Sequence, residues 1–383
     1  MQRHLLFVGP WSHASGLGVA ARGALQALWH LPEPWRIEAQ APEHWGPHAP
    51  ISPHRQLLPA GLSEQEAAAL DPHVTWLHCN PDAACTQLSE ALRARIRRSR
   101  HVVATWVWES AQLPASWHRA LAWIDQLWVP SRAVQQLLQP YTHHPVRVIP
   151  HLLPIPERPP QHQRERVILF VFDGASNLQR KNPLLLLEAF ERSGLAAQGW
   201  RLILKTQHLD AAGSDPALLA AFRQRLAAAQ QAIPDAVQLI NQPLPTAELS
   251  SLYARAAIVA SPHSGEGFGL TLAEAMAQGC LVVATDHGGS RDWLEASTGF
   301  PVPAPLHCST HGWGAYPAGS VWAQPTADAF KDALQAAARC FEDPPAAEAL
   351  RQRAHARLHS LCSRAAVSQR IAAALASLED PMP

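Results

Sequence analysis

The sequence predicts an α/β protein made of two doubly wound parallel-sheet domains. Three observations carry this. The chain has 383 residues, too many for one ordinary core. Short apolar runs without polar alternation recur along it, each followed by a helical pattern, as in strands buried between helix layers. A proline-rich stretch interrupts this alternation at 151–166, and the alternation then begins again.

The elements follow in order. The run HLLFV (4–8) is a first strand, and 17–30 a helix. Strands are expected at 73–78 (HVTWLH) and 101–108 (HVVATWVW), with a helix between them. QLWVP (126–130) and PVRVIP (145–150) form the next pair, again with a helix between. Pro154, Pro156, Pro159 and Pro160 then fix φ and remove donors, so 151–166 reads as a stiff linker. Beyond it, strands are expected at 167–173, 200–206, 236–241, 256–261 and 280–286, each separated by a helical stretch. The Ala-rich segment 344–378 reads as two helices. The domains are therefore set at 1–158 and 159–362.

Composition excludes several classes. Hydrophobic residues are 47% and charged residues 16%, which marks a globular chain. Net charge is zero with histidine neutral, so there is no electrostatic case for a nucleic-acid partner. The cysteines Cys79, Cys85, Cys280, Cys308, Cys340 and Cys362 form no CxxC pair, which fits a reducing compartment rather than a disulfide framework or zinc site. The apolar run at the N-terminus is cut by Gly9-Pro10 and is too short for a signal segment. No apolar run reaches membrane-spanning length. The expectation is a cytoplasmic protein, with peripheral contact at the inner face of the membrane kept open. For the arginine-rich helix 88–100 a solvated face is preferred over a lipid or acidic-glycan surface.

Ligands of open α/β sheets bind beyond the carboxyl ends of strands, so strand-to-helix loops with glycine are the places to look. One is VGPWSHASGLG, where Gly16 and Gly18 precede a helix whose first amides suit an anion. The alternative is a plain loop capped by Ser15. Its spacing is not GxGxxG, which disfavours a nicotinamide site. The other is SPHSGEGFGLTLAEAM (261–276). There the amides of Gly267, Phe268, Gly269 and Leu270 open a helix, Glu266 sits among glycines, and Glu274 follows one turn into the helix. Two carboxylates flanking an amide cradle suit a ligand with hydroxyls at both ends and phosphate between them. Helix-dipole preference explains one acid, but not one embedded in glycines. Arg180 and Lys181 precede a helix starting at Pro183, and Lys205 ends a strand. Cations at a helix start make sense if an anion sits there.

These residues resemble retaining glycosyltransferases of family 4, which have the GT-B fold of two Rossmann-like domains facing across a cleft. GEGFGLTLAEAM matches the E-x7-E donor loop with Glu266 and Glu274. LWVPSRAVQQLL with PVRVIPH, VFDGASNLQRKNPLLLLEAF, and AYPAGSVWAQP (315–325) extend the likeness, the last to a bacterial subgroup. The resemblance implies a hexose transferred from a UDP- or GDP-sugar, with no metal or other cofactor, to a glycan, lipid-linked or other hydroxyl acceptor. Glu266 and the amides of Gly267–Gly269 would hold the donor sugar, and Glu274 the ribose. Lys181 would meet the diphosphate under the loop of Gly16 and Gly18, and the base would lie near Gln242–Leu244. Residues beyond about 363 would return to the first domain.

The chain departs from the pattern where an arginine usually stands five residues before the lysine. Here that residue is Ser176, and Arg180 or Lys205 is expected to supply the charge. The strand end Trp106-Val107-Trp108-Glu109 replaces a histidine found in many relatives. Trp108 and Glu109 are the acceptor-side candidates. Trp11, Trp106, Trp108 and Trp117 are expected at the cleft mouth, where indoles would stack on sugar rings, with core filling as the alternative. Competing functions are a sugar phosphorylase or nucleotide-sugar epimerase on the same fold, and a non-catalytic sugar-nucleotide sensor.

Overall fold

The computed structural model describes residues 3–32, 35–42, 71–82, 88–110, 112–210, 215–312 and 315–379; Cys85 lies outside them. The chain divides into two compact units. The first runs to Trp108, resumes over Leu113–Leu153 and returns from Leu361; the second holds Glu109–Gln112 and Pro154–Ser360.

In the first unit, β1 (Arg3–Val8), α1 (Gly16–Leu28), β2 (Trp35–Gln40), β3 (Val74–Leu77), α2 (Glu90–Arg97), β4 (His101–Thr105), β5 (Gln126–Val129), α3 (Arg132–Leu138) and β6 (Val146–Val148) follow in order. The six strands are all parallel, in the order β2-β1-β3-β4-β5-β6. Strand β1 is buried along almost its whole length, as its uninterrupted apolar run requires. β2 has no counterpart among the sequence expectations. It is an edge strand that alternates Arg36 and Glu38 with apolar residues, so it lacks the run that marks a central strand.

Glu38 on β2 also explains the basic helix. Arg95 grips it with two bonds, at 2.7 and 2.8 Å. Arg97 pairs with Glu90, Arg98 with Asp71, and Arg100 with Glu379. Arg95 and Arg97 of α2, and Arg98 and Arg100 just beyond it, are thus matched by carboxylates of their own unit. Among the described residues no helix is long and apolar enough to cross a membrane.

The second unit contains β7 (Glu165–Val171), α4 (Leu178–Lys181), α5 (Pro183–Ser193), β8 (Arg201–Thr206), α6 (Pro216–Ala232), β9 (Val237–Asn241), α7 (Thr246–Arg255), β10 (Ala256–Ser261), α8 (Leu270–Ala277), β11 (Leu281–Thr285), β12 (Phe300–Val302), a small hairpin of β13 (Leu306–Cys308) and β14 (Val321–Ala323), and α9 (Ala327–Phe341). Its parallel sheet has the order β12-β11-β10-β7-β8-β9. Counted from β7, this is the 3-2-1-4-5-6 order of a Rossmann sheet. The core joins Phe170, Leu186, Phe190 and Leu204 to Phe330 and Leu334 of α9, all at most 1% exposed. Each such side chain contributes about 1.5–3 kcal/mol by leaving water.

Arg164 closes the end of the proline-rich linker. Its guanidinium donates to the carbonyls of Tyr253, Ala256 and Gln278, tying the chain entering β7 to the starts of β10 and β11. α10 (Pro344–Cys362) and α11 (Arg364–Ala376) end the described chain. α11 lies on α1 in the first unit, where Ile371 and Leu375 join the core and Ser368 bonds to the Ala27 carbonyl at 2.9 Å.

Candidate active site

The reversal of strand order between β7 and β10 is where a Rossmann sheet opens a crevice beyond its strand ends. The loops leaving those two strands carry the charged residues singled out in the sequence. After β10 the chain runs Pro262-His263-Ser264-Gly265-Glu266-Gly267-Phe268-Gly269 into α8. Gly269 caps α8 at φ +80°, a conformation that favours glycine. No side-chain oxygen caps this helix start; the Leu272 amide donates to the Gly269 carbonyl at 3.1 Å. A second glycine pair, Gly288-Gly289, backs the loop. A Cβ on Gly289 would lie 2.0 Å from the Gly267 carbonyl oxygen, and the Gly289 amide donates to the Glu266 carbonyl at 2.7 Å. This pair is legible as GG after a strand, but the sequence reading did not use it.

After β7, Asn177 caps the short α4 through the Arg180 amide, and Asn182 turns left-handed at φ 55° before α5. The Ser264 amide donates to the Arg180 carbonyl at 2.8 Å, locking the two loops together. Arg180 and Lys181 thereby meet Glu266. Lys181 Nζ bonds directly to Glu266 Oε1, and Arg180 Nη1 lies 3.4 Å from the same oxygen. Arg180 does not flank the start of α5 as a solvated cation; it is 4% exposed. Nη1 donates to the Gly265 carbonyl at 2.8 Å and Nη2 to Ser176 Oγ at 2.6 Å. The guanidinium thus reaches the serine that stands at the position of the expected arginine. Its Nε–H has no hydrogen-bond partner among the described residues.

Burial alone would raise the Glu266 carboxyl, but Lys181 and Arg180 outweigh it and hold it down at about 2. Burial pushes the Lys181 ammonium down, opposed by Glu266. Burial also disfavours the Arg180 charge, yet Glu109, Tyr316 and Glu266 raise it above its ordinary value. Glu266 is therefore ionised at neutral pH, and Arg180 keeps its proton. His263 lies behind them, fully buried, with its imidazole pushed down to about 4 by burial. The His287 carbonyl 3.2 Å from Nε2 can only accept, so Nε2 carries the proton and Nδ1 accepts from Ser261 Oγ.

The other expected residues divide. Glu274 is half-buried on α8, with its charge beside the buried Tyr253 phenol. Leu244 is half-buried between β9 and α7. Lys205 does not join the Arg180–Lys181–Glu266 cluster through any bond. Its ammonium donates to the Thr206 carbonyl at 3.0 Å and faces Asp173, and burial lowers its affinity for the proton. Of the two cations, it is Arg180 whose guanidinium bonds to Ser176.

For Gly18 and the tryptophans the structure favours the second of the two readings, and Glu109 has partners the sequence did not show. Gly18 does not offer its amide to a ligand: the amide donates to Ser15 Oγ at 3.0 Å. Its lack of a side chain serves packing, since a Cβ there would lie 2.1 Å from the His13 carbonyl oxygen. Gly16, by contrast, opens onto free space. Trp11, Trp106, Trp108 and Trp117 are at most 9% exposed, and Trp117 contacts Trp106 and Trp108 at ring separations of 5.5 and 4.8 Å. They fill the first unit's core, and Trp108 presents no open face for a sugar. Glu109 belongs to the second unit, where it lies 3.4 Å from Arg180 Nη1 and accepts from the Tyr316 hydroxyl at 2.6 Å. Tyr316 was invisible as a site residue because it follows its partner by some two hundred positions in an irregular loop. Among the described residues no group of three His, Cys, Asp or Glu is placed to hold a metal ion.

Residues 165–306, most of the second unit, match the family described as glycosyl transferases group 1. No curated protein sequence matches the chain. Among solved structures, Anabaena Alr3699/HepE in complex with UDP-glucose is similar at TM-score 0.66 and 16% identity, over 98% of this chain and 100% of that one. Sucrose-phosphate synthase from Thermosynechococcus elongatus is similar at TM-score 0.64 and 17% identity, over 98% of this chain and 99% of that one. Staphylococcus aureus TarM, in complex with fondaparinux, alpha-GlcNAc-glycerol and UDP, matches 80% of this chain at TM-score 0.58 and 12% identity; the match spans only 55% of the TarM chain. The chain has the GT-B fold of glycosyltransferases, and its residues 165–306 carry the sequence pattern of glycosyl transferases group 1.

Proposed function

We propose that the protein is a retaining glycosyltransferase that moves a hexose from a UDP- or GDP-sugar to a hydroxyl of a glycan or lipid-linked acceptor. The observation that carries this reading is the meeting of Arg180, Lys181 and Glu266 at a glycine-built helix start, within the segment that matches group 1 glycosyltransferases. HepE and TarM are each solved with UDP, which supports a uridine donor.

In this reading the diphosphate lies against Lys181, Arg180 and the amides of Gly267–Leu270. Without donor, Lys181 rests on Glu266. On binding, its ammonium turns to the phosphate, and Glu266 is released to accept hydrogen bonds from the sugar hydroxyls. Glu274 holds the ribose, and Leu244 lies on the side of the base. As the bond from the sugar C1 to the phosphate oxygen breaks, negative charge gathers on the diphosphate. Fixed cations stabilise that charge more than the ground state, which is where the rate is gained. The acceptor hydroxyl attacks C1 from the face the diphosphate leaves, and its proton passes to a departing phosphate oxygen. The two side-chain cations do the work a divalent metal does elsewhere, so activity is expected to survive EDTA.

The test is NMR of the sugar product formed from α-linked UDP- and GDP-hexoses with a panel of glycan and lipid-linked acceptors. An α-configured product with acceptor-dependent release of nucleoside diphosphate is expected. A β-configured product would overturn retention. Turnover that needs inorganic phosphate, or no acceptor at all, would make the protein a phosphorylase or an epimerase.

A further inference from the structure

The charged cluster contains one more carboxylate than donor binding requires. Glu109 comes from a separate stretch of chain, and its two oxygens have different partners. Oε2 accepts from the Tyr316 hydroxyl at 2.6 Å, while Oε1 stops 3.4 Å from Arg180 Nη1. A charge-assisted bond between guanidinium and carboxylate closes to about 2.7–2.9 Å. Nη1 donates instead to the Gly265 carbonyl at 2.8 Å, so Glu109 Oε1 stays beyond that distance while Tyr316 holds Oε2. The phenol that holds it is itself fixed: the Tyr316 ring meets Trp322 edge-on at 4.8 Å, and Trp322 packs on Gly265. Side chains here are buried enough for such distances to count, with Glu109 12% and Arg180 5% exposed.

Two basic side chains, Arg180 and Lys181, face two acidic ones, Glu109 and Glu266, so the residue types balance. A site meant only to bind a diphosphate tightly gains nothing from Glu109. A site that must also release a nucleoside diphosphate after each turnover does gain from it. We propose that Glu109, tethered by Tyr316, is a built-in counter-charge that limits how tightly Arg180 grips the diphosphate. This inference rests on the donor site proposed above. It assigns Glu109 and Tyr316 a positioning role through Arg180, with no contact to the sugar.

Two variants move affinity in opposite directions. Glu109→Gln keeps the shape but takes one carboxylate from the cluster, so UDP binds about tenfold more tightly. Tyr316→Phe frees the carboxylate to close onto the guanidinium, so UDP binds about threefold more weakly. Titration calorimetry of UDP against wild type, Glu109→Gln, Tyr316→Phe and Lys181→Ala reads this directly. Opposite shifts for the first two variants, with loss of binding in Lys181→Ala, are expected. A purely structural role would weaken both variants together, and that result overturns the counter-charge. UDP binding that needs Lys181 but ignores Glu109 and Tyr316 overturns this inference alone. If wild type binds neither UDP nor GDP, the donor-site reading falls and this inference falls with it.

Discussion

Two glycine loops in this molecule read alike in sequence and differ in structure. Each leaves a buried parallel strand and opens a helix: Gly9–Ser15 runs into α1, whose first turn holds Gly16 and Gly18, and Gly265–Gly269 into α8. In the first, Ser15 caps the helix, takes the Gly18 amide, and leaves no acidic or basic residue in the first turn. In the second, a left-handed glycine caps the helix without any side-chain oxygen, and Arg180, Lys181, Glu109 and Glu266 surround the loop. A serine cap satisfies a helix and so removes the donors a ligand would use. A glycine cap supplies no side-chain oxygen to take them. Glycine spacing alone therefore does not identify an anion site; the residue at the cap and the charges brought by other loops do.

The sharpest way to break this contrast is to remove the central cation. Arg180→Met leaves Glu109 and Glu266 buried without their shared partner, which is expected to destabilise the protein by about 3–5 kcal/mol. Urea unfolding measures it. A change under 1 kcal/mol would mean that the cluster is solvated and that its charges do not depend on one another.

Acid distinguishes the units less sharply, because both contain buried neutral histidines. Burial lowers His263 to about 4 in the second unit, and His78 and His151 to about 4 and 3 in the first. Between the ordinary histidine value and these lowered ones, the unfolded chain binds protons that the folded chain refuses. Stability therefore falls as pH drops from about 6.5 towards 4, by about 1.4 kcal/mol per pH unit for each such histidine. Glu266 adds a loss in the same direction further down, from its ordinary value towards about 2. Melting temperature followed from pH 7 to 4 checks this. A flat profile across that range would show that the imidazoles are protonated in the folded state.

The smallest effect sharpens the comparison from the other side. Ser15→Ala removes the cap of α1 and is expected to cost about 1 kcal/mol, with affinity for nucleoside diphosphate unchanged. Urea unfolding beside UDP titration reads both. A loss of UDP affinity equal to that of Lys181→Ala would make the first loop a partner in the binding site.

The legible part of the molecule was the part with local signals. Buried parallel strands announce themselves as apolar runs, so β1 and β3–β11 follow from the local pattern. The edge strand β2 did not, since half its residues face polar surroundings and Glu38 is there to bind Arg95. Glu266, Lys181 and Arg180 stood out because their charges sit among glycines or at a helix start, where packing has no use for them. Tyr316 had no such mark; its role depends on a contact across a long sequence separation. The tryptophans misled for a related reason. An indole suits a sugar platform and a core equally well, and only burial separates the two uses.

The central claim is that the charged glycine loop binds a sugar nucleotide. The most direct test is a thermal-shift panel of UDP, GDP, ADP, TDP and their common sugar conjugates, on wild type and Glu274→Ala. A ligand that binds only the folded chain raises its melting point by mass action. The account predicts a clear rise with one nucleotide base, reduced in Glu274→Ala. No rise with any nucleotide, or an equal rise in both proteins, would contradict it.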